Sequence, residues 1–310
     1  MDALGALLTG PRAQGAFLLR SVYDPPWAVR IEDEAPLCLL TPVRGEAWVV
    51  PGDGPPVRLG PGDVAVVRGP QPYTVADHPD TAPQVVILPG QVSATLDGER
   101  LCEERDLGVR TWGERPDGAT VLLSGTYQLR GEVSGRLLGA LPTVLRLAAA
   151  EFDSPLLPLL AEETVREEPG QEVVLDRLLD LLLISVLRTW LSRPASPAPA
   201  WYRAYADPVV GRALRLLHAD PARPWTVAAL AEQAGVSRAA LARRFTELVG
   251  RSPMAYLTDW RLDLAADLLA EPDATVASVA RRVGYGSPFA LSTAFKRVRG
   301  LTPQQHRGMS

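Results

Sequence analysis

The sequence predicts a two-domain α+β protein. The first two thirds read as a β-barrel or sandwich with trailing helices, and the last hundred residues as an all-α domain with two helix-turn-helix units. Three observations predict this. Short apolar segments separated by Pro/Gly/Asp turns fill residues 17–130. A Pro/Ala-rich stretch then interrupts the chain at Arg193-Pro-Ala-Ser-Pro-Ala-Pro-Ala200. After it, one helical pattern occurs twice. At about 100–200 residues per domain, 310 residues suit two domains.

The strand segments come first. Leu37–Leu40, Ala47–Val50, Val64–Val67, Val85–Leu88 and Thr120–Ser124 are short and apolar. Turns such as Pro51-Gly-Asp-Gly54 and Gly60-Pro-Gly-Asp63 part them. Evenly spaced short strands favour a barrel or sandwich.

Residues 135–193 change character. Leu137–Ala150 and Leu156–Arg166 read as helices. Glu172–Leu191 is a stronger one, apolar at 13 of 20 positions. Its apolar residues form two stripes. Val174, Leu175, Leu178, Leu182 and Val186 can cover the barrel, which leaves Leu179, Leu183, Leu187 and Trp190 for a second partner. A homodimer interface is expected there. The domains are therefore drawn as 1–193, a stiff linker at 194–204, and 205–310.

Charge divides along the same boundary. From Tyr205 onward there are 14 Arg/Lys against 9 Asp/Glu, whereas the rest carries 18 against 27. An acidic front and a basic tail point to a polyanionic partner for the tail. The start of the chain lacks the basic opening of a secretory signal. Its longest apolar stretch, Leu178–Leu191, is broken by Asp180 and Arg188 and is too short to span a bilayer. A soluble, cytoplasmic protein without a membrane partner is expected.

The repeat carries the functional argument. Ala231 matches Ala280 and Gly235 matches Gly284 at an offset of 49; Phe245–Phe295, Gly250–Gly300 and Pro253–Pro303 match at 50. Each position has a physical task. The alanines let two helices cross closely. The glycines accept φ > 0 in the turn. Ser237 and Ser287 cap the next helix, and Pro288 takes its first position. Leu241 and Phe245, like Leu291 and Phe295, anchor that helix inward and leave its opposite face for DNA. Met254–Ala270 reads as a helix of roughly 25 Å between the units. That spacing suits two recognition helices on adjacent major-groove turns.

These residues resemble the AraC family of bacterial regulators. The likeness rests on Trp225-Thr-Val227, Ala231…Gly235…Ser237, Phe245…Gly250-Arg-Ser-Pro253 and Tyr256-Leu257…Arg261-Leu262. It continues through Ala265…Leu268-Leu269, Val279-Ala280…Gly284-Tyr285 and Ala294-Phe-Lys296…Gly300-Leu-Thr-Pro303. The first 200 residues resemble the cupin-type sensor domain of one subgroup, through Met1-Asp-Ala-Leu4, Gly60-Pro-Gly-Asp63 and His78-Pro-Asp80.

The resemblance implies a sequence-specific regulator of transcription, with double-stranded DNA and RNA polymerase as partners. Carried over, the base-reading faces are Arg238, Ala239, Ala242 and Arg243 in the first unit, and Pro288, Phe289, Ser292 and Thr293 in the second. Arg243 suits bidentate contact with guanine. The second face is less polar, which suggests methyl or shape contacts. Arg244, Arg251, Lys296, Arg297 and Arg299 are candidate phosphate contacts.

The barrel is expected to hold a small organic effector, with Trp27, Trp48, Tyr73 and Trp112 as candidate lining residues. The chain has three histidines, His78, His218 and His306, and no His-x-His. A mononuclear metal site lacks ligands. Neither a cofactor nor an enzyme is expected, so a cupin enzyme with a DNA-binding tail is the remote alternative. Within the regulator class, an activator is expected; the alternatives are a repressor or an oxidant-responsive switch using Cys38 and Cys102. The carboxylates of Glu103 and Glu104 argue against a reactive thiolate at Cys102.

Overall fold

A computed structural model describes residues 17–101, 105–127, 135–136, 138–193 and 198–308. They form two units. A sandwich unit holds the described residues of 17–127 and 141–193; a helical unit holds 198–308 and the described residues of 130–140.

The sandwich contains β1 (Phe17–Tyr23), β2 (Ala28–Ile31), β3 (Leu37–Arg44), β4 (Ala47–Pro51), β5 (Val57–Leu59) and β6 (Val64–Arg68). They are followed by β7 (Tyr73–Ala76), β8 (Val85–Leu88), β9 (Val92–Thr95), β10 (Thr111–Gly113), β11 (Thr120–Tyr127) and β12 (Val144–Leu147). Two six-stranded sheets result, ordered β10-β1-β11-β3-β6-β12 and β5-β4-β7-β2-β8-β9. Among the described residues no strand pairing joins them, so the expected barrel is realised as two separate sheets. Their inner faces share one core, with Cys38, Leu40, Val67 and Leu122 from one and Val29, Val49, Tyr73 and Val75 from the other.

Helices α1 (Leu156–Thr164) and α2 (Gln171–Leu191) follow. β3 is buried along most of its length because both its faces are covered: Cys38 and Leu40 face the sandwich core, and Leu37 and Leu39 are buried as well. The Tyr127 hydroxyl donates to the Leu179 carbonyl at 2.9 Å, and a Cβ on Gly125 would meet the Leu179 side chain. A glycine on β11 thus makes room for α2.

Two expectations are corrected here. The sequence predicts a helix over Leu137–Ala150. Instead Val144–Leu147 is a strand pairing antiparallel with β6, with Leu145 and Leu147 buried and Arg146 exposed between them. The period-2 alternation, completed by an available strand, overrides helix propensity. Leu179, Leu183, Leu187 and Trp190, assigned to a dimer interface, are all buried within the single chain. The second stripe of α2 finds its cover inside the fold. The apolar residues that α2 leaves exposed are Val173, Val174 and Leu181.

The helical unit runs α3 (Ala200–Ala204), α4 (Val210–Ala219), α5 (Val227–Gln233), α6 (Arg238–Val249), α7 (Pro253–Leu269), α8 (Val276–Arg282), α9 (Pro288–Arg299) and α10 (Pro303–Arg307). It begins before the expected boundary at 205: Ala204 is buried with Val210, Leu214 and Trp225. Each helix-turn-helix has its own core. Leu230, Leu241 and Phe245 belong to one, Val279, Leu291 and Phe295 to the other. Helix α7, 17 residues long, gives Tyr256 and Leu257 to the first and Leu262, Ala265 and Leu269 to the second. Its rise of about 25 Å sets their separation.

Candidate functional site

The helices expected to face DNA are α6 and α9, and the same local rules build both. The Ser237 hydroxyl accepts the Ala240 N–H at 3.2 Å, and the Ser287 hydroxyl accepts that of Ala290 at 3.1 Å. Pro288 occupies the first turn of α9, where a missing N–H costs nothing. The turns before them hold Gly235 at φ 70° and Gly284 at φ 83°. Leu241, Phe245, Leu291 and Phe295 are buried. Burial of that stripe turns the opposite side of each helix outward.

That outer side carries all eight residues expected to face bases. Arg238, Ala239, Arg243, Pro288, Phe289 and Thr293 are exposed, and Ala242 and Ser292 half-buried. The Arg243 side chain is 77% exposed and approaches Glu247 only at 3.8 Å. Phe289 is 81% exposed.

The five candidate phosphate contacts divide. Lys296 and Arg297 are exposed and form no ion pair among the described residues. The other three are held by carboxylates. Arg244 pairs with Asp207 at 2.6 Å, Arg251 with Asp259, and Arg299 with the buried Asp263. Asp263 also pairs with Arg136, whose guanidinium lies over the rings of Tyr256 and Trp260. Sequence spacing shows a basic residue but not the acid that the fold brings to it.

A buried polar cluster braces the first unit. His218 Nδ1 lies 2.8 Å from the Tyr205 hydroxyl and Nε2 2.8 Å from that of Tyr256, with the ring stacked on Trp260. His218 is thus a structural residue. His78 is exposed, its Nδ1 accepting the Asp80 N–H at 3.3 Å. Among the described residues, no three His, Cys, Asp or Glu stand together as metal ligands would. No helix among them is long and apolar enough to cross a membrane.

Between the sheets lies a cavity of about 350 Å³. Trp27, Tyr73 and Trp112 line it as expected. Trp48 does not: Ala47 and Val49 are fully buried, and alternation along β4 puts Trp48 on the other face, where its ring lies near His78. Tyr23, unforeseen, joins the wall, stacked on Trp27 at 4.3 Å and edge-on to Trp112 at 6.1 Å. The inward parity of Leu19, Ser21 and Tyr23 on β1 was the available signal. Among the described residues, the indole N–H groups of Trp27 and Trp112 are buried without a hydrogen-bond partner.

Arg110, also on the cavity, adopts φ 45° and donates to Gln171 Oε1 at 2.6 Å. Gln171 opens α2 and donates in turn to the Glu163 carbonyl at 2.6 Å. Burial pushes the Cys38 thiol up to about 12 and the Tyr73 phenol well above its usual range. Cys102 lies outside the described residues.

Known proteins share this organisation. Residues 2–192 match a family described as cupin, and residues 230–309 one described as helix-turn-helix domain. A Streptomyces lividans protein described as an AraC-like transcription regulator is 35% identical over 312 residues, covering 99% of this chain and 98% of its own. The transcriptional regulator AlkR of Acinetobacter baylyi is 28% identical, with both chains covered in full. Among solved structures, the DNA-binding domain of AdpA in complex with a target DNA is 34% identical. It covers 33% of this chain and 92% of that one, with a TM-score of 0.31.

Proposed function

Because the chain belongs to the family of AraC-like transcription regulators, we propose that it is a sequence-specific activator switched by a small molecule bound between the sheets of its N-terminal unit. One observation carries the reading: two helix-turn-helix units of matching geometry, built on one rigid helix, each turn a recognition face outward. Arg238 and Arg243 of α6 are assigned to direct base readout, and Lys296 and Arg297 to phosphates. Arg244, Arg251 and Arg299 serve first as intramolecular ion-pair partners.

The effector assignment draws on the cavity's size, its aromatic walls and its unpaired indole N–H groups. Arg110 and Gln171 offer a route from that cavity to α2. A second copy of the chain is assigned to the exposed Val173, Val174 and Leu181 of α2, and RNA polymerase to the DNA-bound dimer. A ligand shifts occupancy only by binding one arrangement better than the other.

The test is selection of bound duplexes from a random library by the full-length protein, with and without candidate organic molecules. A recurring pair of half-sites, with occupancy that responds to one of the molecules, is expected. Enrichment without sequence preference would overturn the regulator reading.

A further inference from the structure

We propose that the two recognition helices read different chemistry, and that α9 reads the 5-methyl group of thymine through Phe289 and Thr293. The inference rests on the sequence-specific regulator reading above.

The repeat supplies the comparison. At the offset of 50 set by the two Ser caps, Arg238 corresponds to Pro288, Ala239 to Phe289, Ala242 to Ser292 and Arg243 to Thr293. Both helices begin one residue after their cap, run 12 residues and end at a left-handed glycine. The same frame therefore places different side chains on the outward face. In α6, cations occupy the first and sixth positions, with small Ala239 between them. In α9, no charged residue precedes Lys296, and the large side chain is Phe289.

Phe289 is the most exposed large apolar residue among the described ones, at 81%. It sits one turn from Thr293, and residues at i and i+4 share a helix face. Its ring and the Thr293 methyl thus form a short apolar strip along the recognition face. In the major groove the thymine C5-methyl is the apolar feature, and Phe and the Thr methyl are side chains that match it. Neither side chain can imitate the bidentate fork with which Arg243 would take guanine. Lys296 and Arg297, later on the same helix, place cations for the flanking phosphates.

The experiment uses the full-length protein and a duplex it selects from a random library. Each dT in the half-site assigned to α9 is replaced in turn by dU, which removes only the methyl. One or two such replacements are expected to weaken wild-type binding about three- to tenfold. Phe289→Ala should lose a similar factor on the dT duplex and become indifferent to the same dU replacement. Its exposed position predicts an unchanged melting temperature, which separates lost contact from lost folding. Undiminished sensitivity of Phe289→Ala to dU would overturn the proposal, as would a Phe289→Ala variant that binds normally but no longer activates transcription. Failure of the wild type to select any sequence would instead remove the regulator reading on which it rests.

Discussion

Arg244 of the first recognition helix reaches back to Asp207, its Nε donating at 2.8 Å and its Nη2 at 2.6 Å. Asp207 meanwhile accepts the Val209 and Val210 N–H groups at 3.0 and 2.8 Å, opening α4. One carboxylate thus ties the recognition helix to the start of the helix behind it. Arg244→Met is expected to cost about 0.5–1.5 kcal/mol of stability, with half its side chain in solvent. The salt dependence of DNA affinity should stay the same, measured by titration between about 50 and 200 mM salt. A fall in slope of about 0.9 would show Arg244 to be a phosphate contact after all.

Asp63 and Asp207 make stability depend on acid pH. Burial alone would raise the Asp63 carboxyl; the Arg146 side chain and the Gly60 and Ala149 N–H groups outweigh it and hold it below the usual range. Burial is likewise outweighed at Asp207, by the Val210 N–H, the Arg244 guanidinium and the Val209 N–H. A carboxyl lowered by folding stabilises above its unfolded value, about 3.9, and that contribution disappears as pH falls through the folded value. Asp63→Asn and Asp207→Asn should therefore be less stable than wild type at pH 7. The difference should shrink below about pH 4. Urea unfolding at a series of pH values checks this, and a gap as large in acid, at about pH 2.5, as at pH 7 would refute it.

What could be read in advance follows what is local. Ser237, Ser287, Gly235, Gly284 and Pro288 act over a few residues, so spacing alone found both helix-turn-helix units. Trp48 lies off the cavity because the inward parity of β4 is set by its strand partners, which the local sequence does not show. The stripe Leu179, Leu183, Leu187, Trp190 reads as a dimer face because a second internal cover for α2 cannot be seen in its own periodicity. Asp207, Asp259 and Asp263 lie 37, 8 and 36 residues from the arginines they hold. Pairings that tertiary structure creates have no signature in composition.

The two turn glycines should respond differently to the same change. Both have positive φ, which costs any other residue about 1–2 kcal/mol. A Cβ on Gly235 would meet nothing within 4 Å, whereas one on Gly284 would lie 2.3 Å from the Ala222 carbonyl oxygen. Gly235→Ala is expected to cost about 1–2 kcal/mol and Gly284→Ala about 2–5 kcal/mol, the excess being backbone collision. Thermal unfolding of the two variants measures it. Equal losses would mean that the backbone around Ala222 yields freely.

Arg243 and Lys296 should separate readout from attraction. Arg243→Ala is expected to cost about 1–3 kcal/mol at the preferred duplex and little at duplexes changed at its base pair. Lys296→Ala should weaken every duplex alike and lower the salt slope by about 0.9. A matrix of the two variants against single-base-pair replacements decides it. Equal, sequence-selective losses for both would remove the assignment.

Cys38 bears on whether the proposed switch is oxidative. Its thiol lines the cavity but is buried, and burial pushes it up to about 12, so the thiolate that reacts with oxidants is scarce at neutral pH. Cys38 is therefore expected to resist alkylation by iodoacetamide in the folded protein at pH 7.5 and to react once the chain is unfolded in urea. Mass mapping of the labelled peptides distinguishes it from Cys102. A molecule that fills the cavity should slow labelling further, because the thiol lies on the cavity wall. Rapid labelling of Cys38 in the folded protein would revive the oxidant-responsive alternative, with the sulfur itself as the sensor in place of a bound effector.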